Sequence, residues 1–358
     1  VPTSRHLQVG AFAAAVVAAQ LLAQAAGKGF FLTQLTMAAY YTLVVLGLSL
    51  LMGYAGQISL GQAGFFAIGG YTTAALTTLD LSPHRGGALV AALARAGLLV
   101  ARTDLFGGEV LSVEPWASFA LAILLGAAVA VAIGIPVLRL KGHYLAMATL
   151  AFGTIVSSVL VGTQALGAAD GISGVPPFAL VPGIRVGGSG ADRLENFYLA
   201  WGLVAAAMLL LLNLIHSRIG RALGAIHGAE DAARAMGVDV ARLKLQTFVL
   251  AAVMATIAGS LLTHFNGGIG PSEASVLKSV RYVAIVAVGG MGSLWGTLAA
   301  SSVLNFLSLR GYFGTWDDAV FGAILVLVML FAPEGILHAN LRAVLRPLGI
   351  GRGGEERA

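Results

Sequence analysis

Trp116-Ala-Ser-Phe-Ala-Leu-Ala-Ile-Leu-Leu-Gly-Ala-Ala-Val-Ala-Val-Ala-Ile-Gly-Ile-Pro-Val-Leu138 runs for 23 residues without a charged side chain. An α-helix rises 1.5 Å per residue, so about 20 apolar residues cross the ~30 Å hydrocarbon core of a bilayer. Stretches of the same character lie at Val9–Ala26, Leu35–Met52, Ile58–Leu79, Tyr144–Val161, Phe197–Ile215 and Leu245–Phe265. The whole chain follows suit, with 58% hydrophobic and 10% charged residues among 358; a soluble domain carries about 25% charge. The expected fold is an all-α integral membrane protein.

Two regions beyond these are less regular. Val280–Leu307 reads as one long apolar run interrupted by Gly289-Gly290-Met291-Gly292-Ser293-Leu294-Trp295-Gly296, a poor helix interior. Ala319–Ala332 is short before Pro333 and extends to Trp316–Leu337 on a generous reading. Basic residues orient the set. Arg218, Arg221, Arg234, Arg242 and Lys244 mark 216–244 as cytoplasmic, and Arg342, Arg346, Arg352 and Arg357 mark the tail likewise. An even number of crossings between them requires two short limbs around the glycine cluster. The expectation is a polytopic bundle of about ten transmembrane helices, some short or broken, with both termini cytoplasmic. Residues 1–338 form the membrane domain, 80–115 and 162–196 lie outside, and 339–358 are a basic cytoplasmic tail. The first run is read as an uncleaved span, because no small-residue cleavage site leads into a soluble domain.

Composition also excludes functions. There is no cysteine, hence no disulfide framework, thiolate metal site or cysteine nucleophile. The net charge of +5 belongs to loops of a membrane protein rather than to a nucleic-acid surface. No phosphate-binding loop occurs, and the Gly349–Gly354 cluster lacks the strand-to-helix setting such a loop needs. No catalytic or metal site is expected. Proton-coupled carriers place ionisable groups within their spans, whereas the clear segments hold only His264 near one end. A lone histidine there reads as interfacial.

The cytoplasmic stretch Ser217–Val240 reads as two short amphipathic helices stopped at Gly228 and Gly237, with Ser217 as a cap. Glu230 and Asp231 open the second and Arg234 closes it, as the helix dipole favours. Small residues at Gly220, Ala222, Gly224, Ala229, Ala232 and Ala233 permit insertion into a partner's cleft; the plainer reading is a solvated loop. In Gly53-Tyr-Ala-Gly-Gln-Ile-Ser-Leu-Gly-Gln-Ala-Gly-Phe-Phe-Ala-Ile-Gly-Gly-Tyr71 the glycines permit irregular backbone, tolerated at membrane depth only inside protein or beside water. Gly56, Gln57, Ser59, Gln62 and Gly64 are therefore candidates for a translocation path or for interhelical packing, with the three polar side chains supplying hydrogen bonds. Packing is the reading for Gly289–Gly296.

These segments carry a family resemblance. Glu230-Asp231-Ala232-Ala233-x-x-x-Gly237 resembles the EAA-type coupling segment of ABC permeases, and Ser217-Arg-Ile-Gly-Arg-Ala-Leu223 resembles the start of that loop in LivM-type permeases of branched-chain amino-acid ABC importers. Gly53–Tyr71, Arg139–Gly153, Val288–Gly296 and the outer turn Gly171-Ile-Ser-Gly174 are similar to further segments of that family. The resemblance covers roughly residues 35–335. It implies a pore-forming, non-enzymatic subunit in the bacterial inner membrane, with no cofactor of its own. It further implies a second homologous permease subunit, two cytoplasmic ATPase subunits that use ATP, and an external solute-binding protein. Arg218, Arg221, Glu230, Asp231, Ala233 and Gly237 are then the expected ATPase-coupling residues. The alternatives are an ABC permease for urea, short amides or aromatic acids, or an ATP-independent channel or secondary carrier. Residues 80–115, with Pro83, His84, Arg85 and Glu109, carry no recognised motif and are read as a cap or docking surface.

Overall fold

A computed structural model describes residues 3–84, 87–103, 109–140, 142–181 and 183–331. The expected tail, with its four arginines, lies outside the described residues, as do Arg85, Lys141 and the 332–337 extension of the last span. In chain order the helices are α1 (Thr3–Ala25), α2 (Phe30–Ser49), α3 (Gln62–Thr78), α4 (Ala88–Arg95), α5 (Pro115–Val137), α6 (His143–Gly162), α7 (Arg193–Ile215), α8 (Arg218–Gly228), α9 (Glu230–Ala235), α10 (Val240–Asn266), α11 (Val276–Gly289), α12 (Leu294–Leu309) and α13 (Asp317–Phe331). Among the described residues three antiparallel ribbons accompany the helices: β1 (Leu99–Thr103) with β2 (Glu109–Val113), β3 (Ile172–Ser173) with β6 (Gly268–Ile269), and β4 (Phe178–Val181) with β5 (Ile184–Val186). The motif-free 80–115 segment thus holds α4 and a hairpin.

Among the described residues six helices are long and apolar enough to cross a membrane, α2 through its extension to Tyr54, α5, α6, α7, α10, and α13 with the preceding turn from Gly314. Two shorter apolar helices are Gly10–Ala25 and Leu294–Leu309. The break in Val280–Leu307 is real: α11 ends at Gly289, Gly290 takes φ +89°, and Ser293 caps α12 by accepting the Gly296 N–H at 3.1 Å. That run is less apolar than expected, because α11 starts at Val276 and carries Lys278 and Arg281. The span expected at Ile58–Leu79 is also corrected. Ile58–Gly61 are not helical; the Leu60 N–H is taken by Thr149 Oγ1 at 2.9 Å, and Gly61 lies so close to Thr149 that a Cβ would come within 2.9 Å of its carbonyl oxygen.

The centre of the bundle is α2 against α12, α7 and α10, with α3 packed on α10, and small residues hold it. A Cβ on Gly47 would stand 3.2 Å from Ala251 Cα, and one on Gly259 would overlap the Phe66 carbonyl. Hydroxyl pairs bridge the helices, Thr73 to Ser260 at 2.6 Å, Ser301 to Thr42 at 3.0 Å and Ser49 to Thr297 at 3.2 Å. In lipid no hydrophobic effect drives helices together, so close contact and interhelical hydrogen bonds do it. The outward faces are apolar and bare, with Leu121, Leu124 and Ile135 on α5, Met147, Ile155 and Val159 on α6, and Leu327, Met329 and Leu330 on α13 exposed. That is the surface a bilayer covers.

Candidate functional site

At one end of the bundle α7 turns sharply into α8. Ser217 Oγ accepts the Ile219 and Gly220 N–H groups at 3.1 and 3.4 Å, and a Cβ on Gly220 would overlap the Ile215 carbonyl. The underside of α8 and α9 buries Leu223, Ile226 and Ala233 against Ala55 and Val240. An ion pair ties α9 to α10, Glu230 taking Lys244 Nζ at 2.5 Å, and Gly237 closes α9 at φ +83° with its N–H on the Arg234 carbonyl. Arg234 approaches the other Glu230 oxygen at 3.3 Å.

The coupling residues therefore divide. Arg218, Arg221, Asp231 and Gly237 are exposed, whereas Ala233 lies in the chain's own core and Glu230 is half-buried in an internal ion pair. The small face expected to meet a partner divides too: Gly220 and Ala233 pack inward, while Gly224, Ala229 and Ala232 face out.

The glycine-rich segment forms an elbow that reaches this helix pair. After α2 the chain makes one π-helical turn, Leu50–Tyr54. A Cβ on Gly53 would overlap the Met291 carbonyl, and Tyr54 Oη donates to the Gly292 carbonyl at 2.8 Å. Gly56, at φ +64°, sits against His227 of α8. Gly64 packs on Phe152, where a Cβ would come to 3.2 Å. Both glycines thus serve close packing. Ser59 accepts the Gly61 N–H at 3.4 Å. Gln57 and Gln62 make no side-chain hydrogen bond with any described residue although each is 1% exposed, contrary to the bonding role expected of them.

A further constellation escaped the sequence reading. The first residues of α3 and α11 meet, Ala63 N–H donating to Ser279 Oγ at 3.3 Å. Beside this contact Lys278 Nζ lies 2.5 Å from Glu273 Oε1, and Tyr41 Oη joins them, accepting from Lys278 and donating to Glu273 at 3.1 Å each. Tyr41 is about 16 Å from the start of a rod of about 37 Å at 1.5 Å per residue, since α2 and its π turn span Phe30–Tyr54. Tyr41 thus stands well inside the bundle, and Glu273 sits beside the last turn of α10, at Leu262, Thr263 and Asn266. Arg281, one turn along α11, binds Asp317 at 2.7 Å and Asp318 at 2.9 Å and stacks over Phe321. Glu273 and Lys278 fell outside every run drawn from hydropathy, and Arg281 was passed over as the second residue of Val280–Leu307; two cations three residues apart at the head of an apolar helix were the available signal. His264 donates to or accepts nothing from this group, its Nδ1 instead meeting the Pro176 carbonyl at 2.7 Å.

The sequence profile described as the branched-chain amino acid transport system permease component matches residues 30–329. The high-affinity branched-chain amino acid transport system permease protein LivM of Salmonella typhimurium is 31% identical over 322 residues, 84% of this chain and 68% of the relative. LivM of Escherichia coli K12 is 30% identical over the same shares. The permease protein LivH of that strain is 26% identical over 320 residues, 86% of this chain and 96% of the relative. No solved structure matches significantly.

Proposed function

This chain belongs to the family of branched-chain amino acid transport system permease components and is a multi-pass membrane permease subunit; we propose that it forms half of the pore of an ATP-driven importer of branched-chain amino acids. The observation that carries the reading is the union of that family match with the α8–α9 pair, exposed on one side and pinned on the other to the glycine elbow and α10. The proposed partners are a second homologous permease subunit, two ATPase subunits at the α8–α9 end and a solute-binding protein at the opposite end. Two different permease proteins of the same named system in one Escherichia coli strain, both similar to this chain, support the first of these.

In the proposed topology the α8–α9 end is cytoplasmic and the chain lies in the bacterial inner membrane. About ten crossings place both termini inside; the six long helices, α1, α12 and the two broken helices α3 and α11 support that count. ATPase closure pushes on Arg218, Arg221 and Asp231 and is transmitted by Glu230–Lys244 to α10 and by Gly56 to α2 and α3. Motion follows only if the ATPases contact the two states differently.

The test is co-purification of the tagged chain from native membranes, followed by ATPase measurements in proteoliposomes with binding protein and leucine. Recovery of a second permease and two ATPases, with leucine-stimulated hydrolysis, is expected. Gly237→Arg should insert normally yet lose stimulation. A chain recovered alone that transports without ATP would overturn the reading.

A further inference from the structure

The Glu273–Lys278 pair calls for an explanation that packing does not supply. Ionisable groups buried within a membrane bundle are costly and are kept where they act on a solute or ion. An ion pair is a poor glue for such a site, because well-packed apolar side chains of similar volume hold two segments equally well. The segments are in any case joined already, by the Ala63–Ser279 hydrogen bond and by Ser275, which caps α11 on the Lys278 N–H at 3.3 Å.

Three features bear on this pair, whose neighbour Arg281 has its guanidinium committed to two aspartates. Glu273 Oε2, like Asp317 Oδ1, is buried with no partner among the described residues. Beside it lies a cavity of about 60 Å³ whose wall is polar at Thr263, Asn266 and Glu273 and apolar at Phe66, Leu262 and Ile269. And α3 and α11, of 17 and 14 residues, are about 25 and 21 Å long, short of the ~30 Å core. α11 starts at the pair, where the partial positive charge of a helix start favours a carboxylate, and α3 starts one turn further along, against Ser279. Short helices that begin inside a bundle are an arrangement in which backbone groups serve a solute rather than each other.

Resting on the permease reading above, we propose that Glu273 and Lys278 are an exchangeable ion pair opened by a zwitterionic solute. The solute's ammonium replaces Lys278 on Glu273, and its carboxylate replaces Glu273 on Lys278. Both states are electrically neutral, so the solute passes this point of the bundle without leaving a buried charge unmatched. Phe66, Leu262 and Ile269 face its apolar side chain. The cavity is too small for a whole branched-chain amino acid, so the structure shows the closed pair. Tyr41, bonded to both partners, holds them in register as a positioning residue.

The test is leucine uptake by the complete complex in proteoliposomes, with co-purification of all subunits scored for every variant. Glu273→Gln and Lys278→Gln should each lower uptake at least tenfold, and Lys278→Arg should retain most of it. The charge-exchanged double variant Glu273→Lys/Lys278→Glu should recover a third or more of wild-type uptake. The double variant Glu273→Gln/Lys278→Gln keeps a hydrogen-bonded pair without charge and should not recover. Should either single variant fail to assemble, Tyr41→Phe is read instead, with a threefold or larger loss expected. Wild-type uptake by the Gln/Gln pair, or unchanged uptake in Tyr41→Phe and the single variants, would overturn the proposal while leaving the permease reading intact. A wild-type complex that moves no leucine would overturn both.

Discussion

Replacing Lys244 with methionine tests whether α9 is held to the membrane domain by charge. The Lys244 and Glu230 side chains are 10% and 21% exposed, between a surface pair worth at most about 1 kcal/mol and a buried one that costs about 3–5 kcal/mol to break. A hydrogen bond between charged groups contributes about 1.5–3 kcal/mol. Arg234 stays 3.3 Å from Glu230 but is itself 61% exposed, so it offsets little. We take the loss as about 2 kcal/mol, which opens α9 roughly 30-fold more often at 1.4 kcal/mol per decade. The helix pair should not unfold, because Leu223 and Ile226 remain buried beneath it, each such side chain contributing about 1.5–3 kcal/mol. Hydrogen exchange read by mass spectrometry on the reconstituted complex should show amides of 230–238 exchanging about 30-fold faster, with those of 245–265 unchanged. Solute-stimulated ATPase activity should fall in parallel and return in Lys244→Arg. Unaltered exchange in 230–238, or full coupling despite faster exchange, would refute the lever.

Three other substitutions probe separate parts of the molecule. Gly259→Val drives a side chain into the Phe66 carbonyl and should destabilise the α3–α10 contact by about 1–3 kcal/mol, seen as a lower melting temperature of the detergent-purified chain. Gly237→Ala meets no atom within 4 Å, so only the left-handed backbone is penalised, by about 1–2 kcal/mol; stability should drop slightly and stimulated ATPase activity should survive, unlike in Gly237→Arg. Arg281→Met leaves Asp317 and Asp318 without their cation and should cost about 3 kcal/mol, measured by thermal unfolding, with Asp317→Asn/Asp318→Asn recovering most of it.

The elbow gives the family's glycine-rich segment a mechanical meaning. Gly53 and Gly56 let two different backbones approach, the 290–293 turn and α8, so one irregular stretch ties the inner limb of the bundle to the exposed helix pair. The opposite end has a comparable tie. Ile172–Ser173 pairs with Gly268–Ile269, four residues before Glu273, which links the 162–196 segment to the Glu273–Lys278 ion pair through continuous backbone.

Much of this architecture was legible locally. An uncharged run such as Trp116–Leu138 has no solvent but lipid, and Ser217, Gly228, Gly237 and the 289–296 glycines act on their own neighbours, so spans, caps and breaks follow from short-range chemistry. Facing was not legible. The helices are apolar almost all round, so periodicity does not say that α2 is enclosed while α5 and α6 are bare, or that Ala233 turns inward and Ala232 outward. Nor does hydropathy place a charge by depth. Glu273 and Lys278 lie before the Val280–Leu307 run and Arg281 at its head, and only Tyr41, 237 positions from Lys278 along the chain, shows that the pair is enclosed by the bundle. Burial and pairing of that kind belong to contacts between distant segments, and only the assembled tertiary structure decides them.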